Sequence, residues 1–266
     1  MNLLYRRNIM YPQQTSFRWL TIATRQAIVG AFGVDGWAVI NATNAYLTQL
    51  AASDRDKATA LADLINEDPM MVCSLPMSEC LPSGFVMPER WLLSDGASWI
   101  DTGIEACGDT IIRAKCYAES KVLGCDAAFL SKQFKLTIGS SGARYGLSAH
   151  SAYNYGGQIT ELNLNKNNWY VNGVLLNSFT YQDYNVGYNI PLFTTARGGV
   201  ADPPDDTAKF VYAEVYRKNG TKIYLVPCTN KNGMVDLENM EFYPNQGSGQ
   251  FLETYLLNGQ PWTPAS

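Results

Sequence analysis

The stretch Trp91-Leu-Leu-Ser-Asp-Gly-Ala-Ser-Trp-Ile-Asp-Thr-Gly-Ile104 alternates apolar with small polar residues before it reaches Asp-Thr-Gly. That is the pattern of a half-buried strand ending in a turn. Its counterpart lies far downstream, Val226-Pro-Cys-Thr-Asn-Lys-Asn-Gly-Met-Val-Asp-Leu-Glu-Asn-Met-Glu-Phe-Tyr-Pro-Asn-Gln-Gly-Ser-Gly-Gln-Phe251. Two turn signals, Lys231-Asn-Gly233 and Asn245-Gln-Gly-Ser-Gly249, separate short apolar strands there. Together the segments read as the opening and closing strands of one β-sandwich, with limits near residues 89 and 255.

The sequence between them supports this. Short strands are expected at Thr110–Tyr117, Ala127–Phe129, Phe134–Ile138, Ala143–Ala149 and Gln158–Leu164. They continue at Asn168–Val171, Val174–Thr180, Pro191–Ala196, Thr207–Arg217 and Thr221–Val226. Many short strands punctuated by Gly and Asn imply an all-β sandwich. Val171-Asn-Gly-Val174 and Lys218-Asn-Gly-Thr221 predict tight hairpins, because Asn-Gly accepts the positive φ angles of a type I′ turn.

Residues 1–83 have another texture, rich in Ala, Thr and Gln with apolar residues at helical spacing. A first helix, capped by Ser16 or Thr15, is expected through Phe17, Leu20, Ala23, Thr24, Ala27 and Ile28, ending at Gly30 and Gly33. A second run sets Trp37, Ile40, Asn44, Leu47 and Ala51 at alternating three and four spacing. Ser53 with Asp56 reads as the cap of a third, lined by Ala58, Leu61, Leu64 and Ile65. The second stripe has two readings: a helical hairpin's own packing, or an oligomer seam of Trp37, Ile40, Asn44 and Leu47 in which Asn44 fixes register. Pro69, Pro76, Pro82, Gly84 and Pro88 then punctuate a linker or an irregular extended crossing.

At 266 residues and 46% apolar content the chain suits one large domain or two unequal ones. A net charge of −4 with no basic run lacks the electrostatic footprint of a nucleic-acid binder. Ala27 to Ile40 is interrupted by Asp35 and three glycines and is too short to span a membrane. Arg6 and Arg7 are not followed by the apolar core of a secretion signal, so no Sec leader is expected. The six cysteines are accordingly expected to be reduced, with Cys116 and Cys228 as small buried hydrophobes and no paired spacing for zinc.

Both bracketing segments resemble the concanavalin A-like (laminin G-like) jelly-roll domains of gut bacterial surface proteins and phage virion proteins. That family opens with a Tyr-Ile-Asp-Thr-Gly-Ile-like strand and closes with Pro-Cys, Gly-x-x-Asp and Phe-Tyr-x-Asn-x-Gly-x-Gly-x-Phe. Trp99 to Ile104, Pro227-Cys228, Gly233 with Asp236, and Phe242 to Phe251 carry the likeness, with Trp99 where the family usually has Tyr. Trp169-Tyr-Val-Asn-Gly-Val174 matches the family's central hairpin. The resemblance covers the C-terminal two thirds of the chain. It implies an all-β jelly-roll sandwich over residues 84–266, concanavalin A-like, after a smaller α-helical segment at 1–83.

Function is sought in what such a fold carries, since sites are grafted onto folds. The single histidine, His150, has no nucleophile elbow around it. Glucanases on this fold align acids along one strand as Glu-x-Asp-x-x-Glu. Here Asp101, Glu105, Glu119, Glu161 and Glu214 stand apart, with Glu214 expected to face solvent. No phosphate-binding glycine loop with Lys-Ser/Thr is present. Aromatic residues among Asn, Gln and Gly mark a candidate glycan surface at Tyr153, Tyr155, Trp169, Tyr184 and Tyr188, or else core and strand-surface aromatics. Asp202, Asp205 and Asp206 form a candidate calcium loop, or an exposed acidic turn.

The expectation is a non-enzymatic bacteriophage virion protein (head fibre, decoration or tail-associated). It would be a homotrimer joined to other virion proteins through residues 1–83, with its sandwich displayed toward host surface glycans. The alternative is a carbohydrate-binding surface protein of a gut bacterium, and a glycoside hydrolase ranks last.

Overall fold

The computed structural model describes residues 19–127, 132–137, 142–147, 149–151, 157–216, 220 and 222–265, with only the backbone at 149–151. The chain divides into two compact units. Of the described residues, one holds 19–69 with Met77–Pro82 and Ala265, the other those of Met70–Pro76 and Ser83–Pro264.

In the first unit three helices follow one another, α1 (Ile22–Phe32), α2 (Gly36–Ser53) and α3 (Arg55–Glu67). Thr21 caps α1, its Oγ1 accepting from the Thr24 N–H at 3.1 Å, and Gly33 ends it at φ 58°. The helix therefore begins later than the expected start at Phe17, while the expected caps Ser16 and Thr15 lie outside the described residues. Asp54, not Ser53, caps α3, taking the Lys57 N–H at 2.9 Å. An aspartate whose own backbone is extended competes better for that donor than a serine still inside α2. Asn66, near the end of α3, fastens the chain ahead of α1. Its Oδ1 accepts from the Thr21 N–H and the Thr24 hydroxyl, and its Nδ2 donates to the Trp19 carbonyl. Ile28, Val39, Ile40, Leu47, Leu61 and Ile65 are all buried. Gly36 allows the close crossing, since a Cβ there would stand 2.6 Å from the Val29 Cα.

The second unit is a sandwich of two mainly antiparallel sheets. Its strands in chain order are β1 (Glu89–Leu93), β2 (Ile100–Cys107), β3 (Ile111–Tyr117), β4 (Lys121–Asp126), β5 (Gln133–Thr137), β6 (Ala143–Gly146) and β7 (Ala149–Ser151). Then come β8 (Thr160–Asn165), β9 (Asn168–Val171), β10 (Val174–Ser178), β11 (Asn185–Leu192), β12 (Ala196–Arg197) and β13 (Val200–Ala201). The last are β14 (Lys209–Tyr216), β15 (Lys222–Cys228), β16 (Gly233–Asp236), β17 (Glu241–Pro244), β18 (Leu252–Leu257) and β19 (Gln260–Pro261). The first sheet runs β10-β9-β8-β3-β14-β1-β18-β19, with β15, β16 and β17 continuing from the far half of β14. The second runs β13-β12-β4-β5-β6-β7, with β11 and β2 added beside β4. Between them pack Ile104, Leu123, Phe134, Trp169, Phe193 and Phe210, all essentially without solvent exposure. The Phe193 ring lies 4.5 Å from Phe210 and 4.6 Å from Phe251.

The bracketing segments do meet, although the opening one holds two strands rather than one. β1 belongs to the first sheet and β2 to the second, and Ser94–Trp99 crosses between them. Asp-Thr-Gly does not stop the strand: Gly103 takes φ 64° inside β2, where Thr102 donates its hydroxyl to the Ile190 carbonyl at 2.7 Å. Asn245 from the closing segment joins the two. Its Oδ1 accepts the N–H groups of Trp99 (3.1 Å) and Gly247 (2.8 Å), and its Nδ2 reaches Ser98 Oγ (3.1 Å) and the Gly249 carbonyl (2.7 Å).

The Asn172-Gly173 turn has φ 49° and 76°, the two positive values a type I′ hairpin requires. The second hairpin expected, at 218–221, falls outside the described residues save Gly220, but β14 and β15 pair as it requires, Tyr216 opposite Lys222. Among the strands that escaped the sequence pattern in whole or in part are β4, β11 and β13. β4 precedes the expected strand at Ala127–Phe129, most of which lies outside the described residues. β11 starts six residues before the expected Pro191, because its outward positions carry Asn and Gly that read as a loop. None of the six cysteines is in a disulfide, and burial pushes the thiols of Cys116 and Cys125 up to about 12.

Candidate functional site

Adjacent strands β2 and β11 present alternate residues to the outer face of the second sheet. Asp101, Gly103, Glu105 and Cys107 stand on β2, and Asn185, Gly187, Asn189 and Pro191 on β11. They floor a cleft of about 920 Å³ that Trp99, Tyr188, Asp183, Lys132 and the β12–β13 hairpin complete. The intervening residues Thr102, Ile104, Ala106, Val186 and Ile190 are buried, so the pleat itself divides core from cleft.

Each lining group has a cause for its place. Trp99 is half-buried and is set by the Asn245 bond to its N–H and the Gln246 N–H bond to its carbonyl, 2.9 Å. Tyr188 lies against Gly199 on the β12–β13 turn, where a Cβ would come within 2.7 Å of its ring. Its carbonyl accepts from the Cys125 thiol at 3.3 Å. Asp101 accepts the Gly103 N–H at 2.9 Å and the Asn189 amide at 3.3 Å. Asn185 accepts the Gly187 N–H at 2.8 Å. Gly103 and Gly187 have φ 64° and 82°, which leaves the floor between Asp101 and Asn185 without side-chain bulk. Aromatic rings above a backbone floor rimmed by carboxylates and amides suit a polyhydroxylated ligand. Its apolar C–H faces stack on rings while its hydroxyls bond to the acceptors.

Of the residues proposed for glycan contact, Tyr188 lines this cleft. Tyr184 borders it but is 8% exposed, and its hydroxyl donates to the Gln133 carbonyl at 2.8 Å, so burial holds the phenol well above its usual range. Trp169 must be corrected: it has no exposure and packs in the sandwich core, because position 169 on β9 points inward opposite Leu164. Tyr153 and Tyr155 lie outside the described residues, as does the side chain of His150 on β7. Trp99, Asp101, Glu105 and Asn189 were missed. The signal for the first three was present in the alternation of Trp99-Ile-Asp-Thr-Gly-Ile-Glu105, which places them on one face.

The acidic loop is also corrected. Asp205 is a buried anchor, accepting from the N–H and hydroxyl of both Ser120 and Thr207 and from the Lys121 N–H, at 2.6–3.1 Å. Burial opposes its ionisation, but bonds from Thr207 and Ser120 outweigh it and hold the carboxyl below its ordinary value. Asp202 accepts the Thr195 hydroxyl at 2.7 Å, and Asp206 is exposed. The three do not converge, and no cluster of His, Cys, Asp or Glu able to hold a metal occurs among the described residues.

In the helical unit Ile40 and Leu47 are buried in its own core, and the Asn44 amide donates to the Ile40 carbonyl at 2.9 Å. Of the expected seam, Trp37 is 51% exposed and Asn44 is partly exposed. Glu214, expected in solvent, is 8% exposed, 2.7 Å from Lys222 Nζ and hydrogen-bonded by the Tyr216 hydroxyl. Glu161 pairs likewise with Arg113 at 2.9 Å and accepts from the Tyr212 hydroxyl at 2.8 Å. Both acids are engaged on the outer face of the first sheet, away from the cleft.

No family model, curated protein or solved structure matches this chain.

Proposed function

We propose that the chain is a bacteriophage structural protein whose sandwich, of the concanavalin A-like jelly-roll type, holds host surface saccharides without cleaving them. Its residues 1–83 attach it to other virion proteins as a homotrimer. The observation that carries the binding reading is the cleft over β2 and β11, with Trp99 and Tyr188 beside a glycine floor and amide and carboxylate acceptors. The virion setting is supported by the likeness of Trp99–Ile104 and Phe242–Phe251 to phage jelly-roll domains.

The non-hydrolytic reading is supported by sequence: Asp101 and Glu105, the acids that share a face of β2, do not form the Glu-x-Asp-x-x-Glu run that glucanases on this fold align along one strand.

A glycan array with the full chain tests the binding reading. Retention of oligosaccharides that falls at least tenfold in Trp99→Ala and Tyr188→Ala is expected, about 1.4 kcal/mol or more. Binding unchanged by both substitutions would remove the cleft from consideration. Mass spectrometry of purified phage particles tests the setting: the chain is expected among virion proteins, and its presence only in bacterial surface fractions would favour the gut bacterial alternative.

A further inference from the structure

The cleft carries more negative charge than neutral sugar recognition requires. Among the described lining residues are three carboxylates, Asp101, Glu105 and Asp183, the last with a partner of its own, and one ammonium, Lys132. Arg197 on β12 lies outside the lining and pairs with the buried carboxylate of Asp126 at 3.4 Å, so it offsets the acids only in part. That carboxylate also holds Lys135 at 2.8 Å.

The three acids are not equivalent. Asp101 is engaged by the Gly103 N–H and the Asn189 amide. Glu105 is exposed and makes no hydrogen bond or ion pair among the described residues. The space beside it is open: a Cβ at Gly187 would find Glu105 Oε1 at 3.9 Å and nothing nearer. A ring lying on the glycine floor therefore brings its substituents to this carboxylate. The run from Trp99 to Cys107 extends about 26 Å, room for several pyranose units in a row.

Resting on the saccharide reading above, we infer that the cleft takes an extended oligosaccharide bearing free amino groups, with Glu105 as the ammonium's partner, and turns acidic sugars away. An ammonium among these carboxylates gains Coulomb attraction that a uronate or sialate loses, and a half-open cleft screens it less than bulk water does.

The test is calorimetric titration of the full chain with three probes of matched length: chitosan oligomers, their fully N-acetylated counterparts and oligogalacturonate. Chitosan oligomers are expected to bind about five- to tenfold tighter than the N-acetylated ones at low salt, a gap that narrows as salt rises. Oligogalacturonate is expected not to bind. In Glu105→Gln, checked for folding by circular dichroism, the ratio between cationic and neutral probes should fall toward one. Equal binding of the first two probes, or a ratio that survives Glu105→Gln, overturns the amine preference and leaves the saccharide reading standing. If none of the probes binds and the array is insensitive to Trp99→Ala, both fall.

Discussion

Asn245 shows how much one side chain can organise. Of its four hydrogen bonds, those to Gly247 and Gly249 shape its own turn, and those to Trp99 and Ser98 tie the end of the sandwich to its beginning and set the tryptophan at the cleft. Asn245→Ala leaves part-buried donors and acceptors unpaired, so urea unfolding should show a loss of about 2–3 kcal/mol. Saccharide binding should weaken in the same variant although the residue touches no ligand. Asp205 makes a comparable anchor with a pH signature. Its folded pKa lies below the unfolded value of about 3.9, so its stabilisation is complete above that pH and is lost as pH falls through the lower folded value. Asp205→Asn should therefore lower stability at neutral pH and flatten the fall of unfolding free energy below about pH 4. The fall should not vanish, since the Asp95 and Glu161 carboxyls are also held low. A wild-type slope in the variant would exclude the anchor role.

Among the elements, two hairpins illustrate the difference between local and non-local causes. The β9–β10 turn was legible because Asn172-Gly173 carries its own conformational preference. Gly173→Ala, forced to hold φ 76° with open space around it, should cost about 1–2 kcal/mol in denaturant unfolding and leave saccharide binding intact. The β12–β13 hairpin was not legible, since β12 runs parallel to β4 and joins the sheet through Ala196 opposite Cys125. Its turn serves the cleft by making room for Tyr188. Gly199→Val places a branched side chain where the Tyr188 ring lies, so saccharide affinity should drop several-fold, with far-ultraviolet circular dichroism unchanged. Retained affinity would show that Tyr188 does not contribute. β11 was half seen for a related reason: its buried Val186 and Ile190 alternate with Asn, Gly and Tyr, and composition hid a period of two.

Over the whole molecule, each unit has its own buried residues, and the unbridged cysteines report on them. Cys116, Cys125 and Cys228 are buried, whereas Cys73, Cys80 and Cys107 are partly exposed. A thiol reagent at pH 8 should titrate the second group in the native protein and the first only after unfolding. Prompt native labelling of Cys116 or Cys125 would contradict the sandwich core. The β-rich class, the Asn-Gly hairpin, the helical texture of the first 83 residues and the bracketing segments were determined by sequence alone. Periodicity and turn chemistry act over a few residues and survive in the linear text. Only the tertiary structure decided that Trp169 is core and Trp99 is cleft. It alone brought Glu161 and Glu214, which read as isolated acids, to Arg113 and Lys222. Those outcomes depend on strand register and on which face of which strand meets its neighbour. The Arg113–Glu161 pair joins residues 48 positions apart, and even Glu214 and Lys222, on the two strands of one hairpin, meet only through register and facing.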